Sequence, residues 1–122
     1  MEASTQMKYA NELRNILNLE SRQLGLKLSS IIDLGGAMDI VGRYGYRQAI
    51  GYFVLTREST VKKKLLWFEI NRLNIEEIAS MAVYRSGTLE VFVDDPSFNT
   101  QAESIARAFE ESTRKQTVVH LK

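Results

Sequence analysis

Charged and aromatic side chains are distributed unevenly along this sequence, and that distribution is its clearest indication of chemistry. Residues 43–72 contain seven Lys and Arg side chains against two acids, a balance of +5. Residues 73–112 contain eight acids against two bases, a balance of −6, although the whole chain carries only +1. The basic segment also holds six of the eleven aromatic residues. A chain polarised in this way can bind an anionic partner with one face, or a second copy of itself head to tail.

The basic segment supplies the candidate binding residues. Arginines in the run Arg43-Tyr-Gly-Tyr-Arg47 can pair with anions, and the tyrosines can stack on a partner's rings or make apolar contacts. Lysines close to the end of a predicted hairpin extend the same basic edge, although they can equally serve to keep that end soluble and block edge pairing. The predicted partner-binding residues are Arg43, Tyr44, Tyr46, Arg47, Arg57, Lys62, Lys63 and Lys64.

Acidic side chains suggest a weaker alternative, a carboxylate site for Mg²⁺. Such a site would need Asp33, Asp39 and Asp94 to converge from separate elements. Asp95 has a simpler role as a helix cap before Pro96. The sequence therefore predicts neither a metal site nor a bound cofactor, and a small Mg²⁺-dependent enzyme stays only as an alternative.

Cysteine and histidine usage restricts the catalytic possibilities further. The chain has no cysteine, which excludes disulfides, thiolate nucleophiles and zinc–sulfur sites. Its only histidine, His120, lies so near the C-terminus that a strand-end side chain is favoured over the general base of a triad. We therefore predict no catalytic residue and expect a protein that is not an enzyme.

Nucleic acid is the second possible partner for the basic segment. A positive patch binds phosphates without sequence specificity. However, the isoelectric point of about 8.0 is below the value of about 9 that marks such domains, and no helix-turn-helix, RNP or zinc-finger pattern is present. The glycine-rich stretch 35–45 lacks both the P-loop ending and the dinucleotide-binding glycine order.

Length and hydropathy indicate the class of protein. The chain has 122 residues, of which 44% are hydrophobic and 25% charged, as in an ordinary single domain. The N-terminus lacks the basic and apolar regions of a signal peptide. No apolar run approaches the roughly 18 residues that a membrane span needs. We expect one cytoplasmic domain, residues 1–122, with no membrane partner.

Hydrophobic periodicity predicts the elements that position these residues. Residues 26–34 favour a strand, with a short helix as the alternative, and residues 35–45 a bent loop with a helical turn near 37–41. Residues 57–61 are predicted to form a turn, and a short helical turn is possible at residues 74–77. The other predicted elements are helices at 7–24 and 97–113 and strands at 46–56, 63–70, 78–84, 89–94 and 117–121.

This order predicts an α+β domain with a mainly antiparallel sheet of five to six strands. It contains an N-terminal amphipathic helix, a meander over 46–94, a second helix and a closing C-terminal strand. Trp67 and Phe68 are adjacent on a predicted strand and should point to opposite faces, so at least one of them needs cover from another element or copy. We expect a non-catalytic binding or adaptor domain that recognises an acidic protein partner and forms a homodimer, with nonspecific nucleic-acid binding as the alternative.

Overall fold

A computed structural model describes residues 2–32, 38–40 and 47–122 of the chain, with side chains for 8–32, 49–62, 64 and 66–122. The described elements confirm an α+β domain with two α-helices and a six-stranded, mostly antiparallel sheet. In chain order they are α1 (Glu2–Leu24), β1 (Lys27–Ile32), β2 (Met38–Ile40), β3 (Arg47–Leu65), β4 (Phe68–Tyr84), β5 (Leu89–Val93), a 3-10 turn (Pro96–Phe98), α2 (Asn99–Thr113) and β6 (Thr117–His120).

The sheet has the strand order β1-β3-β4-β5-β6, and β2 pairs with β3 beyond the end of β1. All pairings are antiparallel except that of β5 with β6, which are joined through α2 and run parallel. The strand predicted at 26–34 is confirmed as β1. The helical turn predicted near 37–41 is wrong, because residues 38–40 are a strand held by the ladder to β3.

Both helices pack against one face of the sheet. Leu13 and Leu17 of α1 lie one turn apart, and Ile105 and Phe109 of α2 do the same, so each helix presents an apolar stripe. All four are buried with Phe53 and its neighbours in a single core. Gly25 ends α1 with φ of +69°, and the backbone N–H of the next residue donates to the carbonyl of Ser21, as the glycine predicts.

The opposite face of the sheet carries a second, smaller buried cluster. Ala49, Ala82 and Tyr84 are buried there, and Tyr52 and Phe92 pack against them. The composition of segment 46–56 predicts burial on both sides, and on this face Ala49 is buried whereas Tyr52 and Val54 are only half-buried.

The hairpin between β4 and β5 lies where the sequence predicts it, but its loop has three residues, 85–87, whereas Ser86-Gly87 predicts a two-residue turn. The amide of Gly87 donates to the carbonyl of Tyr84, and Gly87 has φ of +92°. A Cβ atom at this position would lie 2.9 Å from the side chain of Lys115, so glycine suits both the conformation and the space. The loop has the form of a type I turn followed by a left-handed glycine.

The hairpin between β3 and β4 is much longer than the sequence predicts. β3 continues without a break through residues 57–61, the turn lies at Leu66-Trp67, and residues 74–77 belong to β4. The predicted turn at 57–61, the single strand at 63–70 and the helical turn at 74–77 are therefore wrong. Segment 57–61 contains no glycine or proline, and cross-strand pairing with residues 72–76 determines its conformation instead.

Two β-bulges adjust the paired strands where they cross the core. One leaves Ile50 as an extra residue on β3, near Gly51, where the sequence suggested a bulge. The other leaves Ile78 as an extra residue on β4, opposite the step from Leu55 to Thr56. Both isoleucines are fully buried, so each bulge adds an apolar side chain to the core.

Candidate functional site

Beyond the second bulge, β3 and β4 leave the sheet and form a two-stranded projection. We call residues 57–76 the arm and the remaining described residues the body. β1 pairs with β3 only as far as Thr56, and β5 pairs with β4 only from Ala79. Both edges of the arm are therefore open, and at about 3.3 Å per residue it extends roughly 30 Å.

Large apolar side chains are exposed along the whole arm. Within the described side chains, seven of the eleven exposed large hydrophobic residues lie on it. Their exposed fractions run from 42% for Ile70 to 85% for Trp67. Apolar patches of this kind on a protein surface are typical of interaction sites and of surfaces that aggregate. The seven are Val61, Leu66, Trp67, Phe68, Ile70, Leu73 and Ile75.

The pairing register explains why the arm cannot bury these residues itself. Leu73 and Ile75 lie opposite Thr60 and Glu58 on one face, whereas Ile70 lies on the other face. A two-stranded ribbon has no additional layer to cover either face, and ribbons of this kind are only marginally stable alone. Both faces of the arm are thus partly apolar and exposed.

A groove of about 570 Å³ lies at the middle of the arm, where residues 60–62 pair with residues 71–73. Its walls combine apolar side chains with two cations and an amide, so it can accept an apolar group that carries or adjoins a carboxylate. It is lined by Val61, Lys62, Arg72, Leu73 and Asn74.

The tip of the arm is formed by Leu66 and Trp67. Leu66 has φ of +56°, a region where a leucine costs about 1–2 kcal/mol relative to ordinary backbone. Two-residue hairpin turns favour glycine or asparagine at such a position. The turn instead exposes two large apolar side chains, and strain of this kind is concentrated at functional sites.

The base of the arm is held to the body by Arg57. Its Nη1 lies 3.4 Å from Glu76 Oε1 on β4 and 3.2 Å from Asp95 Oδ2. The amide of Ser97 donates to Asp95 Oδ1 as a cap of the 3-10 turn, as predicted. Hydrogen bonds from the Ser97 amide and hydroxyl hold the pKa of Asp95 below its usual 3.8, and Arg57 lowers it further to a smaller extent. Arg57 therefore anchors the arm.

The predicted partner-binding residues are divided by the structure. Lys62 and Lys64 are exposed on the arm, and among the described side chains neither has an acidic group within 4 Å. Arg43, Tyr44 and Tyr46 lie outside the described residues. Arg47 begins β3 and Lys63 lies within it, but their side chains are outside the described set. Trp67 and Phe68, predicted on one strand, are instead a turn residue and the first residue of β4, and both are exposed.

A second cluster, on the sheet face away from the helices, has no counterpart in the sequence predictions. The Tyr84 hydroxyl donates to Glu90 Oε1 (2.8 Å), and His120 Nε2 lies 2.7 Å from Glu90 Oε2. The His120 ring stacks on Phe92 with centroids 4.6 Å apart. Glu90 is buried. Because both of its oxygens are engaged, this cluster fixes β6 to the sheet, and His120 is a strand-end side chain as the sequence favoured.

The alternation of segment 89–94 already places Glu90 and Phe92 on one face. No local signal shows that β6 lies beside β5, so the contact with His120 could not be derived from the sequence.

The carboxylates proposed for Mg²⁺ do not form a described site. Asp33 lies outside the described residues, and the side chain of Asp39 does too. Across the described part of the chain, no three His, Asp or Glu side chains gather closely enough to hold a metal ion. Neither described helix is long and apolar enough to cross a membrane.

No family model matches the chain, and comparisons with curated proteins and with solved structures gave no significant match. The function is therefore argued from the arm and its surroundings.

Proposed function

We propose that this chain is a non-catalytic binding domain whose arm takes an apolar protein segment carrying acidic residues. The observation that carries this proposal is the run of exposed apolar residues along both faces of the arm, flanked by exposed lysines. With ordinary residue surface areas, the seven apolar residues leave on the order of 800 Å² exposed, which is the share that each partner buries in a standard interface.

Charge supports an acidic partner. Residues 60–73 contain four bases and one acid, a balance of +3, if Lys63 is counted with the others. Lys62 and Arg72 flank the apolar walls of the groove. Complementary charge of this kind accelerates association and selects the partner, while the apolar contacts supply most of the affinity.

The open edges of the arm support an extended partner segment. Residues 57–65 and 68–76 each have an unpaired edge, and an added strand can hydrogen-bond to the free backbone groups there. Alternate side chains of such a strand would then lie over the apolar residues of the arm.

The test uses Trp67, the only tryptophan in the chain, as its own reporter. The probe is a soluble synthetic peptide of alternating Leu and Glu, with a Leu–Lys peptide of equal length as its counterpart. Because Trp67 is exposed at the tip of the single chain, we expect its fluorescence emission to move to shorter wavelengths with the acidic peptide and to stay unchanged with the basic one. The measurement is made at protein concentrations low enough to exclude association of the chain with itself. An equal response to both peptides, or to neither, would contradict the proposal.

Charge-reversed variants test the role of the lysines. Lys62→Glu with Lys64→Glu should weaken binding of the acidic peptide at least tenfold. The matched control, Lys8→Glu with Lys122→Glu, reverses two exposed lysines on the body and should bind as the wild type does. The nucleic-acid alternative requires a different result, in which a generic oligonucleotide binds with a steep salt dependence and the acidic peptide does not bind.

A further inference from the structure

The acidic half of the sequence has less free charge than its composition implies. Five of its eight acids are engaged within the chain, through the Arg57 anchor, the Glu90 cluster or other contacts: Glu76, Glu77, Glu90, Asp94 and Asp95. The other three lie exposed on α2: Glu103, Glu110 and Glu111. Among the described side chains, none of these three has a basic group within 4 Å. The acidic surface available to a partner is therefore on α2.

A groove of about 210 Å³ runs beside these acids, between α2 and β6. Glu103 and Glu110 line it together with two apolar side chains, Ala106 and Val119. Arg107 and Thr117 complete the lining. Since β6 is the edge strand of the sheet, the groove lies at an open side of the body.

The charges that line the groove are complementary to those near the tip of the arm. The tip presents an apolar indole with lysines behind it, whereas the groove presents two apolar side chains beside two carboxylates. The arm of one chain projects roughly 30 Å from its own sheet, and Trp67 is 85% exposed, so the tip does not fill the groove of the same chain. The tip can therefore reach this groove only in a second copy of the chain.

We infer that the partner of the arm is the α2–β6 groove of a second copy of this chain. Trp67 packs on Ala106 and Val119, and Lys62 and Lys64 pair with Glu103 and Glu110. Reciprocal contacts, each arm in the other copy's groove, give a closed twofold dimer. This inference rests on the proposed function, because it names the partner of the same arm.

The distribution of apolar residues favours this partner over a membrane surface. An element that lies on a lipid interface buries one face, to a depth of about 5–10 Å. Exposed apolar residues occur on both faces of the arm, since Ile70 and Ile75 lie on opposite faces. A protein partner can contact both faces, whereas a bilayer surface would cover only one.

The first experiment measures the solution mass by light scattering for the wild type and two charge-reversed variants. The wild type should be a dimer. The arm variant Lys62→Glu with Lys64→Glu, and the groove variant Glu103→Lys with Glu110→Lys, should each be monomeric. The control Glu12→Lys with Glu20→Lys, on α1, should stay dimeric. Replacing Arg107 by Glu makes the groove more acidic and should tighten the dimer.

The second experiment mixes the arm variant with the groove variant. The acidic arm of one then matches the basic groove of the other, and the remaining pair of surfaces is unchanged, so the mixture should form a heterodimer at wild-type affinity. A mixture that stays monomeric would overturn the inference. So would a groove variant that remains dimeric, or a wild type that is monomeric up to about 1 mM.

A peptide titration on the groove variant separates this inference from the proposed function. Its arm is intact, so it should bind the Leu–Glu peptide while remaining monomeric. Peptide binding by a groove variant that is still dimeric would reject only the second-copy partner, and loss of all acidic-peptide binding would reject the function of the arm itself. A monomeric wild type whose Trp67 emission shifts on phosphatidylserine vesicles would overturn the inference in favour of a membrane surface.

Discussion

The body and the arm are built from the same two strands but differ in what covers them. In the body, the helices lie over Phe53 and Met81, and both are buried. In the arm, apolar residues recur on the same strands, but no described element covers either face. Ile78 is fully buried, and Ile75, three residues earlier on the same strand, is 59% exposed. An alternating apolar pattern therefore indicates a strand, but it does not show whether another element covers that strand.

The largest difference in the free energy of unfolding should appear between two variants, one that removes an aromatic side chain from the body and one that removes an aromatic side chain from the arm. Phe109→Ala opens a cavity under α2 and should lower the free energy of unfolding by about 3–5 kcal/mol. Trp67→Ala removes a larger side chain from the tip but should change it by less than about 0.5 kcal/mol. Urea denaturation checks both at protein concentrations low enough to exclude association. Comparable losses for the two variants would mean that the arm belongs to the core of the monomer.

A smaller effect is expected from the buried polar cluster of the body. Glu90→Ala leaves the Tyr84 hydroxyl and His120 without their acceptor, and should cost about 1–3 kcal/mol of unfolding free energy. Glu111→Ala, at an exposed site on α2, should cost less than about 0.5 kcal/mol. Thermal or urea unfolding of the pair checks the contrast. Equal losses would show that Glu90 does not hold β6.

A substitution at the junction of the body and the arm should lower the free energy of unfolding by a smaller amount. Arg57→Gln removes an exposed charge from two acids and should cost between about 0.2 and 1 kcal/mol. The same substitution at Arg72, on the arm, should leave the unfolding free energy unchanged. Amide exchange should also speed up at the base of the arm in Arg57→Gln and not in the Arg72 variant. A faster exchange in both variants would mean that Arg57 is not the anchor.

The pH dependence of stability tests the same junction between arm and body, because Asp95 is a titratable group there. Its carboxyl is more acidic in the folded chain, so it stabilises the fold above the unfolded pKa, near 3.8. That contribution is lost as the pH falls through the lower pKa of the folded state. Because Ser97 is the main cause, NMR titration of Arg57→Gln should still place the pKa of Asp95 below 3.8. A return to the ordinary value would make Arg57 the dominant partner.

The smallest expected effect is a stabilisation of the arm, whereas the preceding variants destabilise the chain. Leu66→Asn places a residue that tolerates positive φ in the turn of the arm, and should slow amide exchange in the arm by a few-fold. Leu73→Asn, the same substitution within a strand, should speed exchange there because asparagine is a poor strand former. Hydrogen exchange followed by mass spectrometry distinguishes the two, and faster exchange in Leu66→Asn would show that the turn is not strained.

Much of the body could be predicted because its signals are local. The stripe from Ala102 to Phe109 identifies α2, Gly25 ends α1, and Ser86-Gly87 marks a hairpin. The arm could not be delimited in this way. Segment 57–61 is polar and resembles a turn, and only its pairing with β4, more than ten residues away, shows that it is a strand.

The candidate site could be located only in part for a similar reason. Lys62 and Lys64 are exposed residues of the hairpin, as predicted, because a run of like charges is seldom buried. Arg57 has the same composition-based signal, yet it is held by Asp95, which lies 38 residues further along the chain. Long-range partners of this kind decide which charges of a basic segment stay free.

The open edges of the arm have one more consequence, for behaviour at high concentration. A ribbon with unpaired edges and exposed β-branched residues can add further ribbons edge to edge without limit, which is the route to aggregation. Lys62 and Lys64 act as gatekeepers there, because stacking arms in register would bring like charges together. Neutralising both lysines should therefore promote precipitation even where it leaves the fold intact. The same two lysines are the ones that we propose attract an acidic partner.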